Sequence, residues 1–355
     1  MIKILFTILL FSFAALQARP GSLEEISRAI YALQKDTSVA EMLRIVSFIE
    51  TDLHTYIAKK RYYLPTELTT LPCAIEYDPV TESCFIHLET KKKNTIGSGG
   101  EKYVTKSIFY KGTASEIVAR CKQTAKGSSE IEIIRHLQGL EGIVSMYAAT
   151  RYMESSRPVE TLFCKWYKPG ALGGVGGCLN HGMQFTLPEK VGIACDLLVG
   201  LENIHAHGVL HGDITAANCF VHISKDPITN GRKIEAVIGD FGKSRWGQEI
   251  TPDLYASDIF DMGCALYKLY YNKTVPWQSE EYLAGFAGSP AAVIEAIVKK
   301  RRDEILNKKS KTNTLSIEEE FELTILYMLH EDHAKRPDST ILKNNFIVLS
   351  NKLRG

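Results

Sequence analysis

Val209-Leu210-His211-Gly212-Asp213-Ile214-Thr215-Ala216-Ala217-Asn218-Cys219-Phe220-Val221 sets an aspartate five residues before an asparagine, between two apolar runs. A strong helix signal precedes it. Thr186-x-x-Glu189 is a capping box, and Ile193, Leu197, Leu198, Leu201 and Ile204 recur at helical spacing. Asp240 lies twenty-two residues beyond Asn218, in Ile238-Gly239-Asp240-Phe241-Gly242, where an apolar strand runs into a turn.

These residue types suit one chemistry. Phosphoryl transfer needs a carboxylate to orient the attacking hydroxyl, and hard oxygens to hold magnesium on the nucleotide phosphates. The ordered pair of motifs resembles the catalytic arrangement of protein kinases. The resemblance implies that Asp213 orients the hydroxyl, that Asn218 and Asp240 are the metal ligands, and that the cofactors are ATP and Mg2+. It also implies an α+β, bilobal protein-kinase-like fold, with a β-rich first lobe and a helical second lobe.

The upstream half agrees. Ile96-Gly97-Ser98-Gly99-Gly100-Glu101-Lys102-Tyr103-Val104 resembles the glycine-rich loop that lays backbone amides over ATP phosphates, with Lys102 where the family has a third glycine. Val118-Ala119-Arg120-Cys121-Lys122 is similar to the family's V-A-I-K strand, so Lys122 is expected on the α- and β-phosphates. Glu130, on a helix from about Ser129 to Gln138, is its expected carboxylate partner, although it follows Lys122 by only eight residues. Leu162 to Leu172 resembles the family's adenine-binding hinge. Cys164 would be the gatekeeper, and the backbones of Lys165 and Tyr167 would face the base, with Val104 and Ala119 on its faces. The glycine-rich Gly170 to Gly177 reads as a flexible linker. Ser257-Asp258-Ile259-Phe260-Asp261-Met262-Gly263 is similar to the helix whose Asp braces the catalytic loop, and Pro276-Trp277 and Lys335-Arg336-Pro337 match later landmarks.

Two departures bear on function. Gly212 stands where the family usually has the Arg that receives an activation-loop phosphate, so loop phosphorylation is not expected to be required. The segment from Asp240 to Asp258 is short and has no A-P-E, leaving Glu249 as a candidate partner for Arg336 and little of the usual peptide-binding surface. Thr215 replaces the Lys of Ser/Thr kinases and Ala217 the Arg of one tyrosine-kinase signature, so the two substrate classes stay open. His211 to Asn218 also resembles the small kinase of the tRNA threonylcarbamoylation complex, and shares H-G-D with aminoglycoside and choline kinases.

Outside this domain, Lys3 and the apolar run Ile4 to Leu16 predict a signal peptide over 1–18, too short to span a bilayer. Residues 19–83 are expected to form a helical extension with a short hairpin turning at Asp78-Pro79, and 84–355 the kinase-like domain. No stable membrane span is expected after cleavage, which makes the mature protein secreted. The formal net charge of +1 points to no nucleic-acid partner. The expected partner is a protein substrate, in a host cell if the protein is delivered there. The eight cysteines fit no zinc spacing and read as buried thiols, with Cys73 and Cys84 the one pair placed to bridge. Lys299-Lys300-Arg301-Arg302 reads as a solvated helix end. An active kinase leads; an ATP-binding pseudokinase scaffold and a kinase of a small molecule, lipid or glycan are the alternatives.

Overall fold

The computed structural model describes residues 75–78, 83–87, 95–98, 102–111, 114–124, 129–154, 157–174, 176–227, 230–247, 250–273, 275–278 and 293–354. The expected signal peptide, the two helices within 22–60 and the tip of the glycine loop at Gly99 and Gly100 lie outside them. So do Glu249, Cys73 and the Cys84 side chain. The chain divides into two compact units, one from Met1–Gly127 with Met146–Trp166, the other from Ser128–Ser145 with Tyr167–Gly355.

The first unit is a seven-stranded antiparallel sheet. Its strands are β1 (Ile75–Asp78), β2 (Ser83–His87), β3 (Thr95–Ser98), β4 (Lys102–Lys111), β5 (Ala114–Thr124), β6 (Met146–Glu154) and β7 (Arg157–Lys165). The order is β1-β2-β4-β5-β7-β6, and β3 also pairs with β4. β4 is long enough to serve two partners on one edge: Tyr103 to Thr105 take β3, and Ser107 to Tyr110 take β2. β1 pairs antiparallel with β2, the expected turn after Asp78 lying outside the described residues, and the boundary expected at Cys84 falls inside β2, so among the described residues the sheet begins at Ile75. Phe85, Val118, Ala148 and Phe163 form its core, with Phe85 stacked on Phe163 at 3.8 Å between ring centroids. Burying four apolar side chains on one face of alternating strands fixes the register, since a one-residue slip would turn each of them to the other face.

The second unit is mainly helical. It comprises α1 (Glu130–Leu137), α2 (Leu187–Ala206), α3 (Pro252–Tyr271), α4 (Lys300–Thr312), α5 (Ile317–Met328) and α6 (Ser339–Arg354), with a π-helical turn at Ile294–Lys299. Short strands run among them. β8 (Pro169–Ala171), β10 (Cys219–Lys225) and β11 (Arg232–Ile238) make one sheet, and β9 (Val209–Leu210) pairs with β12 (Arg245–Trp246). The predicted capping box is present on α2. Glu189 N–H donates to the Thr186 hydroxyl and Thr186 N–H donates to the Glu189 carboxylate. Val191, Ala194, Leu197, Leu198, Leu201 and Ile204 on α2 are buried, and α6 packs against this helix. Gly142 has φ +72, and a Cβ there would sit on the Gly200 backbone of α2. This close approach seats the segment after α1 directly on the central helix.

Two features differ from the sequence reading. Gly170 to Gly177 is a packed turn rather than a flexible linker. Leu172 and Gly173 donate their N–H groups to Cys219 and Ala216 at 2.8 and 2.7 Å, and a Cβ on Gly177 would strike the Gly173 backbone. The glycines serve tight packing on the catalytic loop, which composition alone does not distinguish from looseness. The basic run at 299–302 is only half a solvated end. Arg301 clamps Glu322 at 2.7 and 2.9 Å, and Arg302 is buried over the Tyr327 ring.

Candidate active site

Asp213 lies on the loop between β9 and β10, and the loop is held from below by α3. Asp258 is fully buried there. Its Oδ2 accepts the His211 N–H and its Oδ1 accepts the Gly212 N–H, both at 2.8 Å. The His205 ring adds a third contact to Oδ2 at 3.1 Å. A carboxylate that satisfies two successive backbone amides fixes the peptide planes immediately before Asp213. Gly212 has φ +72, the left-handed region that glycine enters without a Cβ penalty.

His211 ties the two motifs together. Its Nδ1 accepts the Asp213 N–H at 3.3 Å, and its Nε2 lies 3.2 Å from the Gly239 carbonyl. Since Nδ1 must be an acceptor, Nε2 carries the proton and donates to Gly239, which makes the ring neutral. Burial acts the same way, pushing the imidazole pKa down against the pull of Asp258, Gly239, Asp240 and Asp213. The ring also packs on Phe241 at 4.9 Å, and the Ser244 hydroxyl donates to the His211 carbonyl at 2.9 Å.

The structure brings Asp213 and Asn218 together. Asn218 Nδ2 donates to the Asp213 carbonyl at 2.9 Å and lies 3.4 Å from its Oδ2. That assigns the amide nitrogen to the loop and leaves Asn218 Oδ1 as a hard oxygen without a hydrogen bond among the described residues. Gly239 N–H donates to the Asn218 carbonyl at 2.9 Å, so the strand leading to Asp240 is bonded to the same loop. Asp240 has φ +63, a conformation that Asp tolerates better than most side chains. The Gly242 N–H approaches its Oδ1 at 3.4 Å. An amide oxygen and a carboxylate of this kind fit a hard divalent cation.

Lys243 was not foreseen. Its Nζ makes an ion pair with Asp213 Oδ1 at 3.0 Å, and this hydrogen bond and charge hold the ammonium pKa above its usual value. The only sequence signal is its position directly after Asp-Phe-Gly. The candidate residues on the sheet have their own settings. Lys122 lies on β5 opposite Tyr103 of β4 and Thr161 of β7, and Ala119 is opposite Cys164. Gly97 and Ser98 pair with Val104 and Tyr103, so the expected glycine hairpin exists up to its tip. Lys165 closes β7, while Tyr167, where the second unit resumes, is buried and its hydroxyl accepts the Ser145 N–H at 3.2 Å. Glu130 is buried at the start of α1, which groups with the helical unit. Farther on, Arg336 donates to the Ala256 and His330 carbonyls at 2.8 Å and covers the Phe260 ring.

A braced His-Gly-Asp loop, an Asn bonded back to its Asp, and an Asp-Phe-Gly strand tied to both make an arrangement similar to the catalytic loop of protein kinases. No protein-family model matches the chain. Its similarities to curated proteins include several kinases. It is 28% identical over 115 residues to the sporulation protein kinase mde3 of Schizosaccharomyces pombe, covering 26% of this chain and 20% of that one. It is 29% identical over 126 residues to the serine/threonine-protein kinase RUNKEL of Arabidopsis thaliana, covering 30% and 9%. With the mitogen-activated protein kinase kinase kinase mkh1 of Cytospora mali it shares 23% identity over 222 residues, covering 56% and 10%. The chain thus spans a fifth or less of the length of these relatives. Among the described residues no helix is long and apolar enough to cross a membrane.

Proposed function

We propose that the chain is an active kinase that transfers the γ-phosphate of ATP to a hydroxyl on a protein substrate. The observation that carries this reading is the Asp213 loop, whose backbone is fixed by Asp258 and whose carboxylate lies beside Asn218 and Lys243. Asp213 orients the substrate hydroxyl and accepts its hydrogen bond. Asn218 Oδ1 and the Asp240 carboxylate hold Mg2+, which neutralises charge on the nucleotide phosphates. Lys122 binds those phosphates. The Gly97-Ser98-Gly99-Gly100 turn supplies backbone amides to them. Val104, Ala119 and the backbones of Lys165 and Tyr167 take the adenine. Lys243 supplies a second cation at Asp213, where Thr215 offers none.

Names such as that of RUNKEL favour Ser or Thr as acceptor. Export, by way of the 1–18 segment, belongs to the same proposal, and it requires delivery into a compartment that contains ATP. N-terminal sequencing of secreted protein is expected to begin near Arg19; full-length protein confined to the producing cell would remove this part. Incubation of purified protein with labelled ATP and Mg2+ tests the activity. Label on the chain or on lysate proteins is the expected result. Nucleotide binding without transfer to any acceptor would replace the kinase with a scaffold.

A further inference from the structure

The pairing of β4, β5 and β7 sorts their side chains onto two faces. Val104 lies opposite Cys121, Lys102 opposite Gln123 and Lys106 opposite Ala119, while Ala119 and Gln123 in turn lie opposite Cys164 and Glu160. Directly opposed residues project to the same side of a sheet, and successive residues alternate. One face therefore holds Val104 and Ala119, proposed to take the adenine, together with Cys121 and Lys102. Tyr103, Lys122 and Thr161 fall on the other.

On the adenine face the residue that follows Ala119 along β5 is Cys121, since the one between them alternates away. A thiol at that place brings no ammonium to the phosphates. Two lysines do share the face. Lys106 is engaged by an aromatic ring, its ammonium lying 4.7 Å from the centroid of Trp166. Lys102 opens β4 two residues before Val104, beside the strand whose Gly97 and Ser98 pair with Val104 and Tyr103. Its own row favours a cation. Gln123, opposite Lys102, donates its Nε2 to the buried Glu160 carboxylate at 3.4 Å, which sets a negative charge on the same face.

We propose that Lys102 is a phosphate-binding residue: its ammonium reaches over Cys121, where β5 offers no charge, and meets the nucleotide phosphates from the face that holds the adenine. A lysine is suited to this, as a compact point charge on a flexible stem that binds phosphate oxygens without a fixed geometry. The assignment rests on the nucleotide-binding part of the kinase reading, and it concerns a face to which Lys122 does not belong. It also gives a use to the lysine that stands where a third glycine was expected.

The test is isothermal titration with ATP and Mg2+ on Lys102→Met, which keeps an apolar stem and removes the charge. Binding is expected to weaken about tenfold, and phosphoryl transfer to slow about a hundredfold. Adding Cys121→Lys to Lys102→Met should restore most of both, because it returns an ammonium to the same face from the neighbouring strand. A purely structural role for Lys102 predicts no such rescue. Lys106→Met should bind ATP as wild type does. Thermal denaturation without nucleotide checks the fold of each variant. Wild-type affinity in Lys102→Met overturns the proposal, and a lowered midpoint beside it would make Lys102 only a partner of Glu160. A loss that Cys121→Lys leaves unrestored overturns it as well. The two readings fail separately. Binding that depends on Lys102, without transfer to any acceptor, keeps Lys102 and removes the kinase; transfer by Lys102→Met at the wild-type rate does the reverse.

Discussion

Lys243 Nζ sits 3.0 Å from Asp213 Oδ1, placing an exposed lysine on the carboxylate that the loop is built to present. The lysine side chain is 69% exposed, so the pair is solvated and contributes little to folding. On the proposed function its value lies in chemistry, because a cation beside the acceptor hydroxyl would meet negative charge as the phosphoryl group moves. Lys243→Ala should leave the denaturation midpoint unchanged while slowing phosphoryl transfer by about ten- to a hundredfold. Steady-state kinetics checks this, and a wild-type rate in the variant would reduce Lys243 to a resting counter-ion.

Asp258 should behave in the opposite way, with a cost in stability. Asp258→Asn replaces one of two oxygens by an N–H donor, leaving either the buried His211 N–H or the more exposed Gly212 N–H without its acceptor. A loss of about 1–3 kcal/mol is expected in urea denaturation. The displaced loop should also lower kcat far more than it raises KM for ATP. An unchanged midpoint would show that the loop holds its shape without α3.

Asp196 on α2 gives a pH signature remote from the site. Burial pushes its carboxyl up to about 6, aided by Glu235 and Glu141 and relieved by the Ala236 N–H at 3.0 Å. A raised folded-state pKa means that its stabilising contribution is complete below the unfolded carboxyl value and is lost as pH rises through about 6. A shift of roughly two pKa units corresponds to about 3 kcal/mol. Asp196→Asn retains an acceptor for Ala236, so it should be more stable than wild type near neutral pH, with the advantage vanishing at acidic pH. Urea midpoints across this range decide; a pH-independent difference would contradict the assignment.

For Lys122, ATP with Mg2+ should raise the melting temperature of wild type, since saturation a hundredfold above Kd adds about 2.7 kcal/mol. Lys122→Ala should lose most of the rise. An equal shift in both proteins would take Lys122 out of the nucleotide site.

What could be read from the sequence was local in the chain. Thr186 and Glu189 cap α2 because they are three residues apart, and Asp213 meets Asn218 because a short loop closes over five. Asp258 was also legible, through the resemblance of Ser257 to Gly263 to the family's helix whose Asp braces the catalytic loop. Other features depend on tertiary placement. Lys243 is thirty residues from Asp213, and only the turn after Phe241 points it back. Lys102 and Cys121 share a face only through the register of β4 and β5, which the neighbours of neither residue in the chain reveal. The glycines of 170–177 looked loose because composition does not reveal a neighbouring backbone.

The most direct measurement is phosphoryl transfer by Asp213→Asn, with nucleotide binding measured on the same sample. If Asp213 orients the hydroxyl, the variant should bind ATP and Mg2+ as wild type does and lose transfer by about a thousandfold or more, since the role is expressed in the transition state. Asp240→Asn should weaken binding and transfer together. Transfer by Asp213→Asn at the wild-type rate would contradict the account, because the residue around which the loop is built would then have no part in the reaction.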